Sequence, residues 1–250
     1  MKARIQTVIL PAALAALIGF AMLPYGSVTP WAQALVIIGA LGIALATAYT
    51  SPPNTHRSYS RTLPVLFTLL VIWLIYQYIF ILDHPADRTT FTLTTSLWLA
   101  LGTTIWTSKT LCARRRSAMI LLTGIAIAGT VQATIGILGL RMDMGRYSQF
   151  VTSGRAAGTF SSGNSFGGFI ALALLAGLGV AATALPPIFR HIKKRGGRLL
   201  HSASKGDYQI LAGLMILVAV LIMLLALILS GSRGAGVAAA GMMTVGLAWI

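Results

Sequence analysis

The sequence predicts an all-α fold: a polytopic bundle of about eight transmembrane helices with a cytoplasmic N-terminus. Composition is the first reason. Of 250 residues 56% are hydrophobic and 9% charged, and the four acids are all Asp, whereas a soluble domain carries about a quarter charged residues. The second reason is run length, since about 20 apolar residues suffice to cross a bilayer. The third is the placement of the basic residues, which account for a net charge of +15.

Taken in order, the apolar runs cover 5–23, 31–50, 63–82, 89–110, 117–140, 165–185, 210–229 and 235–250, the last of them incomplete. Runs this long and unbroken are helices, because barrel strands are shorter and alternate in polarity. The first run has the position of a signal peptide, and "AQA" (32–34) has a small-x-small pattern. Yet the run is longer than the usual apolar core of such peptides, and the candidate cleavage site falls where the next span begins. It reads as a retained helix. A single cysteine, Cys112, leaves no internal disulfide and suits apolar packing. No repeat or low-complexity linker divides the chain, which reads as one membrane domain, 1–250.

Cytoplasmic loops are enriched in Lys and Arg. With the N-terminus inside, the inside segments hold 14 of the 19 basic residues, among them Arg57, Arg61, Arg114, Arg115 and Arg116. The run "RHIKKRGGR" (190–198) falls on that side too. It reads as a topogenic loop that attracts anionic lipid headgroups, not as a nucleic-acid interface.

The other five basic residues, Arg88, Arg141, Arg146, Arg155 and Arg233, fall outside, and none is a lysine. Arginine's planar fork pairs with phosphate oxygens in bidentate fashion, where lysine acts as a point charge. Arg88 lies among acids in "DHPADR" and reads as an ordinary loop charge. The remaining four flank two loops rich in Gly and Ser. Arg233 lies in "LSGSRGAG", between two spans separated by the short segment Ser230 to Gly234, so it must sit at the membrane boundary, where an arginine needs a partner. Arg155 lies in "RAAGTFSSGNSFGG" (155–168), which leads into a helix. A helix start attracts anions, and Asn164 and Ser165 suit its N-cap.

That second stretch also approaches the phosphate loop G-x-x-x-x-G-K-[ST]. The nucleotide reading fails, because Asn164 stands in place of the lysine, no buried strand leads in, and the inferred side is extracytoplasmic.

"RAAGTFSSGNSFGGFI", followed by "LSGSRGAG", resembles the O-antigen ligase and polymerase superfamily, bacterial inner-membrane transferases of lipid-linked glycans. Arg155, Gly158, Thr159, Phe160, Asn164 and Phe166 match the first element, and Ser232, Arg233, Gly234 and Ala235 the second. Ser162 replaces an Asn of the family's pattern. Gln132 matches a glutamine that recurs late in the fifth span. The two motifs cover roughly the second half of the chain, and the earlier spans match in hydropathy alone.

The resemblance implies transfer of a glycan from an undecaprenyl-pyrophosphate carrier to an acceptor hydroxyl on a lipid, glycan or protein, at the periplasmic face of the inner membrane. Arg155, Arg233, Asn164, Arg146, Arg141 and Ser232 would bind the substrate, with arginines holding the pyrophosphate. It implies no cofactor and no metal. In the family a loop nearer the C-terminus supplies a histidine. The chain reaches Ile250 part-way through its last run, so it is expected to be an N-terminal portion of a longer protein or a shortened homologue. No catalytic residue is assigned. Polymerases of the same superfamily share these motifs, and a lipid-linked glycan transporter is a further alternative. The absence of Asp and Glu from the spans speaks against a proton-coupled carrier.

Overall fold

The computed structural model describes residues 4–23, 29–50, 72, 75, 76, 79, 85–141, 151–152, 154–194 and 205–248. Among these, a π-helical turn, Ile5–Ile9, leads into α1 (Leu10–Met22). The helices that follow are α2 (Pro30–Thr50), α3 (Pro85–Cys112), α4 (Arg115–Arg141), α5 (Gly163–Lys194), α6 (Lys205–Leu229) and α7 (Arg233–Ala248). Two short strands, β1 (Val151–Thr152) and β2 (Arg155–Ala156), form a hairpin ahead of α5.

The helical architecture expected from the sequence is therefore present, with one short hairpin added. Among the described residues, five segments are long and apolar enough to cross a bilayer: Ile5–Met22, Trp31–Thr50, Arg115–Leu140, Gly163–Leu185 and Leu211–Leu229. The expected span 89–110 lies within α3, which is long but rich in Thr and Ser. Three of its hydroxyls fold back on the helix itself. Thr103, Thr107 and Thr110 donate to the carbonyls of Ala100, Thr103 and Trp106 at 2.9, 2.7 and 2.9 Å, which satisfies them without water. The expected last span corresponds to α7, 16 residues long. The run 63–82 lies outside the described residues, apart from the helical and exposed Ile72, Ile75, Tyr76 and Ile79.

The chain divides into two compact units, Met1–Leu17 with Ser27–Ala118, and Ile18–Gly26 with Met119–Ile250. In the first, α2 packs along α3, and the Ser117 hydroxyl donates to the carbonyl of Thr7 at 3.5 Å.

In the second unit α5 is the central helix, packed on α6 and α7. Its buried face carries Phe166, Ile170, Ala173 and Leu174, which meet Met223, Ala226 and Leu227 of α6 and Ala235 and Ala239 of α7. Helices in lipid gain little from hydrophobic burial and associate through close packing of small residues. Gly129 of α4 illustrates this, since a Cβ there would overlap the Cβ of Ala173. The opposite face of α6 presents Leu214, Met215, Leu221 and Ile228, all exposed, as expected of a surface meant for lipid tails rather than water.

Candidate functional site

The candidate site lies in the second unit, where α5 begins, α6 ends and α7 begins. The hairpin places its first component. Val151 pairs with Ala156 and Thr152 with Arg155, and Gly154 turns the chain at φ 73°. After β2 the chain runs inward rather than out into solvent. Ala156 and Ala157 are fully buried, and Gly158 takes a left-handed φ of 56°, a conformation open chiefly to glycine. A Cβ at Gly158 would also lie 2.8 Å from the Phe166 ring. Phe160 then anchors the loop edge-on to Phe166, with centroids 6.1 Å apart, and tilted on Phe169 at 5.7 Å. Such aromatic pairs contribute roughly 0.5–1.5 kcal/mol beyond their buried area.

This packed loop directs the Arg155 side chain back across the helix ends. Its Nε donates to the carbonyl of Ser230 at 2.6 Å, and one Nη2 hydrogen goes to Asn164 Oδ1 at 2.9 Å. Ser230 immediately follows α6, whose last carbonyls lack helical partners and carry partial negative charge. Gly231, at φ 58°, makes room for the arginine, because a Cβ there would lie 3.0 Å from Arg155 Nε. Half-buried Arg155 therefore ties the end of α6 to the start of α5, while its Nη1 makes no hydrogen bond to a described residue.

The two helix starts are capped by serines. Ser162 is the N-cap of α5: its hydroxyl accepts from Ser165 N at 3.2 Å, and its carbonyl accepts from Phe166 N at 3.1 Å. The sequence expectation that Asn164 and Ser165 cap this helix is thus corrected: the cap lies earlier in the chain, at Ser162. Asn164 sits instead in the first turn, exposed, with its oxygen taken by Arg155. Ser232 caps α7, its hydroxyl accepting from Ala235 N at 3.4 Å and its carbonyl from Gly236 N at 3.0 Å. Ser230 supports that turn, donating to Leu227 O at 2.6 Å and accepting from Ser232 N at 3.2 Å. The starts of α5 and α7 approach closely here, for a Cβ at Gly167 would come within 2.7 Å of Ser232 Cβ.

Arg155 occupies the negative end of α6, and the rest of the region is electropositive. Two helix N-termini converge on it. The N–H groups of Gly163, Asn164, Arg233 and Gly234 make no hydrogen bond to another described residue. Arg233 is the first residue of α7 and is exposed, at a helix end that disfavours a cation. Neither 151–168 nor 227–236 contains an acid. Among the described residues no three His, Cys, Asp or Glu side chains cluster.

Of the residues expected from sequence, Arg155, Asn164, Ser232 and Arg233 fall within this region, although the Ser232 hydroxyl is occupied by its own helix. Arg141 is the last residue of α4. Arg146 lies outside the described residues. Ser230 entered the sequence reading only as the edge of a short loop, and Ser162 only as a departure from the family's pattern. The preference of helix N-caps for serine is a signal that could have identified the second. A carbonyl acceptor such as that of Ser230 leaves no trace in residue type.

Compared with protein-family models, curated proteins and solved structures, the chain matches none.

Proposed function

We propose that the protein is a glycan transferase of the bacterial inner membrane, with about eight spans and a cytoplasmic N-terminus. It moves an oligo- or polysaccharide from an undecaprenyl-pyrophosphate carrier to an acceptor hydroxyl at the periplasmic face. The observation that carries this reading is the Arg155 guanidinium, held by Ser230 and Asn164 where the acid-free starts of α5 and α7 meet. Such a place favours a multiply charged anion at the membrane boundary, and a lipid pyrophosphate is that kind of ligand.

In the reaction the acceptor oxygen forms a bond to the anomeric carbon, and the carbon–oxygen bond to the pyrophosphate breaks. The electron pair goes to the leaving pyrophosphate and the hydroxyl proton to a base. Arg155 and Arg233, with the free N–H groups of the two helix starts, lower the barrier by stabilising negative charge on that leaving group.

The test is transfer from a polyprenyl-pyrophosphate-linked oligosaccharide by membranes carrying the full-length protein. Arg155→Ala and Arg233→Ala should each abolish transfer while leaving membrane insertion intact. Normal transfer by both variants would refute the reading.

A further inference from the structure

Gln132 lies on α4, 2% exposed among apolar neighbours, and its amide joins three separate stretches of the second unit. Its Nε2 donates to the carbonyl of Met22, the last residue of α1, at 3.2 Å, and to Thr159 Oγ1 at 2.8 Å. Its Oε1 accepts from the backbone N–H of Thr159 at 3.3 Å and lies 3.1 Å from the Thr159 hydroxyl. That hydroxyl in turn donates to the carbonyl of Met22. A helix-terminal carbonyl, a loop N–H and a loop hydroxyl are thus all satisfied by one side chain. Where water is excluded, each of these groups left alone would be costly.

The node sits beside the left-handed turn at Gly158, where a Cβ would lie 3.0 Å from Gln132 Oε1. Thr159 follows Arg155 by one turn of loop. The fully buried Ala156 and Ala157 between them leave the loop little slack. Gln132 and Thr159 therefore fix one end of a short rigid segment whose other end carries the guanidinium.

We infer that Gln132, acting through Thr159, is a positioning residue for Arg155. It sets the depth and direction of the guanidinium toward a phosphate-bearing ligand without touching that ligand. The inference rests on the anion-site reading above. It adds that affinity depends on a neutral amide on a different helix, remote in sequence from both arginine motifs.

The experiment uses the full chain in phosphatidylcholine nanodiscs. It reads the affinities for inorganic pyrophosphate and farnesyl pyrophosphate by calorimetry, and thermal stability separately. Gln132→Leu and Thr159→Val should each weaken binding of both probes about tenfold or more at temperatures where the variants remain folded. Thr159→Ser, which keeps the hydroxyl, should bind within about twofold of the parent. Gln132→Leu combined with Arg155→Ala should bind no more weakly than Arg155→Ala alone, because both changes act through one group. If Gln132→Leu does not insert, Thr159→Val and its combination with Arg155→Ala are read in the same way. Lowered stability with unchanged affinity, or fully additive losses, would reduce Gln132 to a structural role and overturn the inference. Arg155→Ala weakening binding while Gln132→Leu and Thr159→Val do not would overturn it alone. Unchanged binding in Arg155→Ala and Arg233→Ala would overturn the anion site itself, and the positioning role with it.

Discussion

Arg155 Nε donates to the carbonyl of Ser230 at 2.6 Å across 75 positions of sequence. This bond makes Arg155 a cap on the C-terminal end of α6 as well as a cation near two helix starts. The two roles have separable consequences. Arg155→Ala should lower stability by about 1–2 kcal/mol, the scale of lost hydrogen bonds from a charged donor that is partly exposed. Arg155→Lys keeps the charge but cannot reach Ser230 and Asn164 together in the fork geometry, so it should lose transfer nearly as completely as Arg155→Ala. Thermal unfolding in detergent and the transfer assay check both. A fully active lysine variant would show that charge alone matters at this position.

Arg233 should behave differently. It is exposed at the first position of α7, where the helix dipole opposes a positive charge by roughly 0.3–1 kcal/mol. Arg233→Ala should therefore unfold at the same temperature as the parent or slightly higher, while transfer is lost. Stability falling in step with activity would indicate a structural role.

The serine caps give a test of the local architecture. Ser162→Ala and Ser232→Ala should each cost about 1 kcal/mol, and the corresponding Gly variants only a few tenths. Asn164→Ala, at a position that does not cap α5, should leave that helix intact and weaken only the hold on Arg155. Thermal melts of the five variants separate these outcomes.

Gly154 and Gly158 separate backbone strain from overlap. Both have positive φ, 73° and 56°, but a Cβ at Gly154 meets nothing within 4 Å whereas one at Gly158 presses on Phe166 and Gln132. Gly154→Ala should cost about 1 kcal/mol, the scale of left-handed strain in an L-residue. Gly158→Ala should cost about 1–3 kcal/mol more through overpacking. Equal losses would mean that the loop yields freely.

The orientation can be checked with cysteines in a Cys112→Ala background. Ser161 and Ala113 are both exposed. With the N-terminus inside, Ser161→Cys should react with a membrane-impermeant maleimide in intact cells, and Ala113→Cys only after permeabilisation. The reverse pattern would invert the topology and move the arginine site to the cytoplasmic face.

The sequence by itself determined the class of fold. Long apolar runs in lipid have no other way to satisfy their backbone, so α1, α2, α4, α5 and α6 were legible from composition and length alone. It also singled out Arg155 and Arg233, because a cation placed against the charge bias is visible without coordinates. Tertiary structure decided what those residues touch. Ser230 offers Arg155 a backbone carbonyl, which every residue type possesses, and the Ser162 cap depends on where α5 actually starts. Gln132 showed itself in sequence as an amide within an apolar run that matches a glutamine of the superfamily the chain resembles, with no partner indicated. That its amide meets Met22 and Thr159, which lie 110 and 27 positions away, follows from how α1, α4 and the loop pack together. Periodicity and composition report on neighbours along the chain, whereas hydrogen bonds between distant segments depend on a geometry that only packing creates.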